Sequence, residues 1–194
     1  MSRHLNLNPH PKGYDLSNEA KIKKILLIVL FITGVCFGQT YELAEEFYEN
    51  GLPKVIKTFK ESNDKYELVK SINVYENGQK KEEKTYKGVN RYGVPIKDGI
   101  WTEWYENGQK SWEETYKNGK EDGLWTEWND NGQKETEINF KDGEKDGLET
   151  WWYENGQKKS EATYWVDQWI DEKCWDEDGN ECECSEHLRA GCKY

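Results

Sequence analysis

WYENGQK stands at residues 104–110 and again at 152–158, with VYENGQK at 74–80 and WNDNGQK at 128–134. A catalytic motif is needed once. A phrase written four times marks a structural unit. Aligned on the glycine of each phrase, the chain gives Gly51, Gly78, Gly108, Gly132, Gly156 and, more weakly, Gly179. The period is about 24 residues, inside the range of repeat architectures, and an insertion at Val89–Pro95 (VNRYGVP) lengthens one interval. Around each phrase lie two runs of β-favouring residues. Glu-Asn-Gly or Asp-Asn-Gly between them is a hairpin signal, because Asn and Gly tolerate positive φ. Asn77, Gly78, Asn107, Gly108, Asn131, Gly132, Asn155 and Gly156 are the expected turn residues. A second glycine pair, as in KNGKEDG (117–123) and KDGEKDG (141–147), closes each unit.

The length of the loop sets which side chains share a face. A three-residue loop, Glu106-Asn107-Gly108 with Gly108 left-handed, puts Ile100, Thr102 and Trp104 on one face with Lys110, Trp112, Glu114 and Tyr116. The next units place Leu124, Thr126 and Trp128 with Thr136, Ile138 and Phe140, and Leu148, Thr150 and Trp152 with Ser160, Ala162 and Tyr164. This register concentrates the apolar residues. It leaves Trp101, Tyr105, Trp125, Trp151 and Tyr153 on the opposite, polar face as candidate binding aromatics. The expected fold is all-β: an elongated, single-layer antiparallel meander of tandem hairpins over residues 39–180.

The composition agrees with a thin-cored sheet. Charged residues make up 34% and apolar residues 35%, while ten Trp and twelve Tyr argue against disorder. The net charge is −11, and it is divided unevenly: residues 1–38 carry +3 and the rest −14. An acidic body lacks the basic footprint that DNA, RNA or anionic lipid requires. Residues 21–38 have three lysines, an apolar run from Ile25 to Val35 and small residues after it, the pattern of a secretory signal. The run is short for a membrane span. Cleavage after Gly38 leaves Gln39 first and no stable membrane insertion. Lipidation of Cys36 is the competing reading, against which Val35 stands where a small residue is expected. Residues 1–20 do not fit a signal and read as an N-terminal extension arising from the gene model, with the true start near Lys21.

Residues 174–194 hold Cys174, Cys182, Cys184 and Cys192. In an exported chain four cysteines imply two disulfides with three pairings open, of which a Cys182–Cys184 bond is the least expected. They would staple a cap on the last unit. A zinc site with His187 is the alternative, though the usual ligand spacing is missing. Asp176–Glu181 fails the calcium-loop template, since Cys174 and Ser185 fall at end ligand positions. No phosphate-binding glycine loop, nucleophile elbow or HExxH is present, and Glu103 and Glu127 recur as equivalents in like environments. The chain is therefore read as non-catalytic, with no cofactor and no metal.

Tyr116-Lys-Asn-Gly119-Lys-Glu-Asp-Gly123-Leu-Trp125, followed by Trp128 and Asn131-Gly132, resembles the MORN repeat in its bacterial variant form. Chains of this variant are similar to the YwqK family of antitoxins. The resemblance covers about residues 41–180, with FYENGLPK (47–54) and WDEDGNE (175–181) as degenerate ends. It implies a scaffold for protein contacts or dimers through the sheet, and elsewhere phosphoinositide binding through basic patches. An antitoxin role on an exported chain implies an exported or envelope partner. Two functions are thus expected to compete: a protein-interaction scaffold, possessing an antitoxin or immunity-like role, and a carbohydrate- or cell-wall-binding module. In the second, the exposed aromatics stack on sugar rings or cage choline. The plain structural reading of those aromatics is cross-strand pairing in a thin sheet.

Overall fold

The computed structural model describes residues 40–62, 65–185 and 191–193. The extension, the signal segment, Cys36, Gln39 and His187 lie outside the described residues. Thirteen strands follow in order: β1 (Thr40–Phe47), β2 (Pro53–Ser62), β3 (Lys65–Val74), β4 (Lys80–Val89), β5 (Pro95–Lys97), β6 (Gly99–Trp104), β7 (Lys110–Lys117), β8 (Lys120–Trp128), β9 (Lys134–Lys141), β10 (Glu144–Trp152), β11 (Lys158–Trp165), β12 (Gln168–Trp175) and β13 (Glu181–Cys182). They form one open antiparallel sheet in sequence order, with β5 paired to β4 beside the main path. The meander expected from the repeats is therefore observed. The Val89–Pro95 insertion forms the turn between β4 and β5.

The three-residue loop is also observed. Tyr105 N–H donates to the Gln109 carbonyl at 2.8 Å and Gly108 N–H to the Tyr105 carbonyl at 2.9 Å, with Gly108 at φ 86°. The same pair of bonds closes the loops at 48–52, 75–79, 129–133, 153–157 and 176–180, and even the insertion at 90–94. The glycine is needed because an L side chain pays about 1–2 kcal/mol in this conformation.

The expected face assignment is corrected. After four of these loops, at 75–79, 105–109, 129–133 and 153–157, one residue is left unpaired: Trp104 pairs Lys110, but Glu103 pairs Trp112, so Ser111 is bulged. Lys81, Glu135 and Lys159 are its equivalents. A bulge reverses the parity between the strands. Trp112, Glu114 and Tyr116 thus share a face with Trp101 and Glu103, and Ile100, Thr102 and Trp104 occupy the other. Ile100, Leu124 and Leu148, expected on the covered face, are exposed, whereas Trp101, Tyr116, Ile138 and Ala162 are buried. The second face also has an interior: Thr102, Thr126 and Thr150 are buried in a row.

The second glycine pair separates into two roles. Asn118 (φ 52°) and Gly119 (φ 87°) make a two-residue turn, as do Asp142 and Gly143. Gly123 (φ 136°) and Gly147 (φ 117°) instead lie within β8 and β10, where register shifts. A Cβ there would meet Thr115 Cβ at 3.0 Å or Asn139 Cβ at 3.1 Å. The last such turn carries Val166 at φ 51° and Asp167 at φ 59°. A β-branched residue is a poor occupant of the left-handed region. Val166→Asn, the residue of the equivalent turn at 118, is expected to raise stability by about 1 kcal/mol. A denaturation midpoint equal to or below that of the parent would contradict this.

Candidate interaction surfaces

Four residues of the repeated phrase, Tyr, Asn, Gln and Lys, make contacts with the next unit. The Tyr hydroxyl donates to a carbonyl two strands on: Tyr48 to Val74 at 2.8 Å, Tyr75 to Trp104 at 2.7 Å, Tyr105 to Trp128 at 2.8 Å and Tyr153 to Trp175 at 2.9 Å. The Asn side chain caps its own loop through the Gln N–H, and its Nδ2 donates to the next loop: Asn77 to Glu106, Asn107 to Asp130 and Asn155 to Glu177. The Gln amide covers the next glycine so closely that a Cβ on Gly108 would lie 2.8 Å from Gln79 Oε1. A Cβ on Gly132 would lie 2.7 Å from Gln109 Oε1.

The Lys reaches the next unit's indole: Lys80 over Trp104 at 5.4 Å, Lys110 over Trp128 at 5.6 Å, Lys134 over Trp152 at 5.7 Å and Lys158 over Trp175 at 5.9 Å. Each of these lysines also pairs with a glutamate three residues on, at Glu83, Glu113, Glu137 and Glu161. Such exposed contacts contribute at most about 1 kcal/mol each. Their value lies in repetition, because a sheet of hairpins is stabilised chiefly by neighbour-to-neighbour contacts.

The five candidate binding aromatics do not form one row. Trp101 is 9% exposed, so it is not the exposed aromatic that the expected register made it. Its Nε1 donates to the Thr85 carbonyl at 3.0 Å. Its ring lies 5.8 Å from Tyr86 and 5.1 Å from Tyr116, with Lys97 Nζ 4.0 Å above it. The Lys97 ammonium also donates to the Tyr116 hydroxyl at 2.7 Å. Trp125 is half-buried between Glu114 and Ile138. Trp151 pairs with Thr136 and Ser160 and donates to Glu149 Oε1 at 3.1 Å. Its counterpart in the preceding unit is Glu127, since Glu127 also pairs Thr136. Tyr105 and Tyr153 spend their hydroxyls on the unit-to-unit bonds above. Asn129 stands where Tyr would, and its Oδ1 turns back to the Gln133 N–H. Tyr105→Phe is therefore expected to cost about 1 kcal/mol in denaturant without disrupting the fold. An unchanged midpoint would show that the hydroxyl bond is idle.

Glutamates sit among these aromatics. Burial raises the pKa of Glu103 and of Glu114, opposed at Glu103 by a Trp112 hydrogen bond and at Glu114 by Tyr116. A carboxyl whose folded pKa exceeds its unfolded value favours the fold when protonated. Stability from Glu114 thus grows as pH falls toward about 4.5. Glu114→Gln is expected to stabilise at pH 7 and to flatten this rise, which melting across pH would show.

The four tail cysteines form two disulfides, Cys174–Cys184 and Cys182–Cys192, with Cα atoms 5.2 and 5.6 Å apart. They tie β12 and β13 to the end of the chain, and Cys174 is fully buried. The thiols that a zinc site would need are consumed. Among the described residues no group of three potential metal ligands comes together. A shallow open cleft is lined by Glu135, Trp151, Trp152, Glu154 and Lys159.

The two edges differ in charge. The six long loops at 48–52, 75–79, 105–109, 129–133, 153–157 and 176–180 hold eight carboxylates and no Lys or Arg. The opposite edge carries both signs and the two places where units depart from the pattern, at 89–95 and 165–170.

Stacked hairpins of this geometry, each locked to the next by the same side chains, define an open β-repeat sheet. Residues 70–87, 97–118, 121–142 and 145–165 match the MORN repeat variant. Such repeats are generally protein-binding modules and are not typically catalytic. No curated protein matches the chain.

Proposed function

We propose that the chain is an exported, non-catalytic repeat scaffold that binds a protein partner, with an antitoxin or immunity-like role toward an exported protein. The observation that carries this is the use of the repeated phrase for unit-to-unit bonding. With WYENGQK committed to stacking, recognition falls to positions where units differ. The match to protein-binding repeats supports the reading. Two disulfides suit an oxidising compartment and so support export. Co-purification from the native envelope tests it. The expected result is a stable protein complex burying at least about 1,000 Å², and a chain whose first residue is Gln39. Recovery of a peptide spanning His4–Tyr14 would defeat the assigned start, and recovery with no protein partner would defeat the scaffold.

The cell-wall reading has one observation in its favour, the cleft at Trp151 with Trp152 beside it. Retention on cell-wall polysaccharide that Trp125→Ala or Trp151→Ala abolishes would favour that alternative.

A further inference from the structure

The turn between β11 and β12 gathers four large apolar side chains in the open. Trp165 is 65% exposed, Trp169 54%, Ile170 55% and Val166 44%. Cross-strand partners identify their counterparts. Trp169 faces Tyr164 as Lys145 faces Phe140 and Glu121 faces Tyr116. The positions held here by Trp165, Val166, Trp169 and Ile170 are therefore Lys, Asn, Glu and Asp in one earlier unit (Lys117, Asn118, Glu121, Asp122) and Lys, Asp, Lys and Asp in the next (Lys141, Asp142, Lys145, Asp146). Four charged or turn-forming residues have become apolar together, one of them against its backbone preference, since Val166 sits at φ 51°.

We propose that this tip is a plug that seats in an apolar pocket rimmed by Lys and Arg on a protein partner. The inference rests on the protein-binding reading above and names its surface. A Trp side chain offers up to about 250 Å², so the tip presents roughly 400 Å². That is the size of the largest apolar patch on many monomers, which is often functional. A stable interface takes about 800 Å² from each side. Two tips meeting flat fall short of this, while a concave pocket that closes around the plug also buries the charged strand ends beside it. Charge selects among occupants. Asp167 and Asp171 lie in and beside the tip, and Asp167 is tied to β10 by its N–H to the Lys145 carbonyl at 2.9 Å, which brings Glu144 and Asp146 next to it along β10. Of the nearby cations, Lys145 is paired with Glu149 and Lys141 stands opposite Glu144, which leaves Asp146, Asp167 and Asp171 in excess. A second copy would bring the same carboxylates, and an anionic membrane would be repelled. A basic rim satisfies them.

A photo-crosslinking residue at Ile170 in the full chain, expressed in its native host, tests this against one at Lys117 in the equivalent polar turn. The expected result is a heterologous protein adduct at Ile170 and none at Lys117. Purified, that protein should lose affinity about 30-fold or more with Trp165→Ser/Trp169→Ser. Affinity should also fall with salt and with Glu144→Gln/Asp171→Asn. The melting midpoint of these exposed variants should stay near that of the parent. Adducts only with a second copy or only with lipid would overturn the plug, as would an affinity indifferent to salt and to the carboxylates. If a partner co-purifies but ignores the tip, the scaffold reading stands and the plug fails. If no protein partner is recovered, the scaffold reading itself fails.

Discussion

Replacing Trp101 with Ala is expected to lower the unfolding free energy by about 3–5 kcal/mol. Three losses combine. The indole is 9% exposed and is the largest side chain among the buried apolar residues. Its removal leaves the Thr85 carbonyl without the 3.0 Å Nε1 bond. It also takes away the ring under Lys97 at 4.0 Å and under Lys84 at 4.8 Å, and separates Tyr86 from Tyr116. The position matters as much as the size. Trp101 joins β4 to β6 at the point where the insertion interrupts the repeat, and there only two residue pairs bridge the strands, Glu82–Glu103 and Glu83–Thr102. Because stability in a repeat sheet is a sum over neighbouring contacts, the variant should melt in two steps. Amide exchange should accelerate first in β4 and β6. Trp101→Phe, which keeps most of the ring contacts, should cost much less. A single transition at the parent midpoint for Trp101→Ala would mean that the aromatic cluster holds nothing together.

Removing the Cys174–Cys184 bond by Ser substitution is expected to cost about 2–4 kcal/mol, and reduction of both disulfides more. Each bond closes a loop of separation 10, which by chain entropy alone is worth about 3 kcal/mol. Cys174 is also fully buried opposite Ser160, itself fully buried. The effect should be local. Among the described residues the last hairpin is followed by the two-residue β13 and the Cys184–Cys192 β-bridge, so without the staple β12 and β13 fray while β6–β10 keep their protection. Limited proteolysis with and without reductant reads this directly: cleavage after residue 165 should appear only on reduction. Equal resistance in both conditions would contradict the cap.

The hairpin loops, the period and the stapled tail were legible because each rests on local chemistry: Asn-Gly tolerates positive φ, a fixed spacing repeats, and cysteines in a short tail pair. Which face is covered was not legible. The unpaired residue after the four loops of the repeated phrase is Lys81, Ser111, Glu135 or Lys159, which share no chemical type that would announce a bulge. One unseen residue exchanged Trp101 for Ile100 as the buried member. The unit-to-unit bonds left a signal that the loop reading did not use. Tyr, Asn, Gln and Lys persist in the phrase although none is needed to close its own loop, except Asn as a cap. Side chains that recur once per unit on a stacked sheet face the same position in the neighbouring unit. The exception at Asn129, where the hydroxyl bond is missing, marks the same rule. The apolar tip was visible as WVDQWI at 165–170, but only the strand pairing shows that it replaces charged residues of earlier units.

The central claim is that the shared phrase builds the sheet and the departures from it recognise the partner. Measuring both stability and partner affinity on two variants of the chain separates these roles. Tyr105→Phe/Asn107→Ala should lower the denaturation midpoint and leave affinity within about twofold. Trp165→Ser/Trp169→Ser should hold the midpoint and weaken binding about 30-fold or more. The reverse pattern, with affinity lost in the phrase variant and kept in the tip variant, would contradict the account.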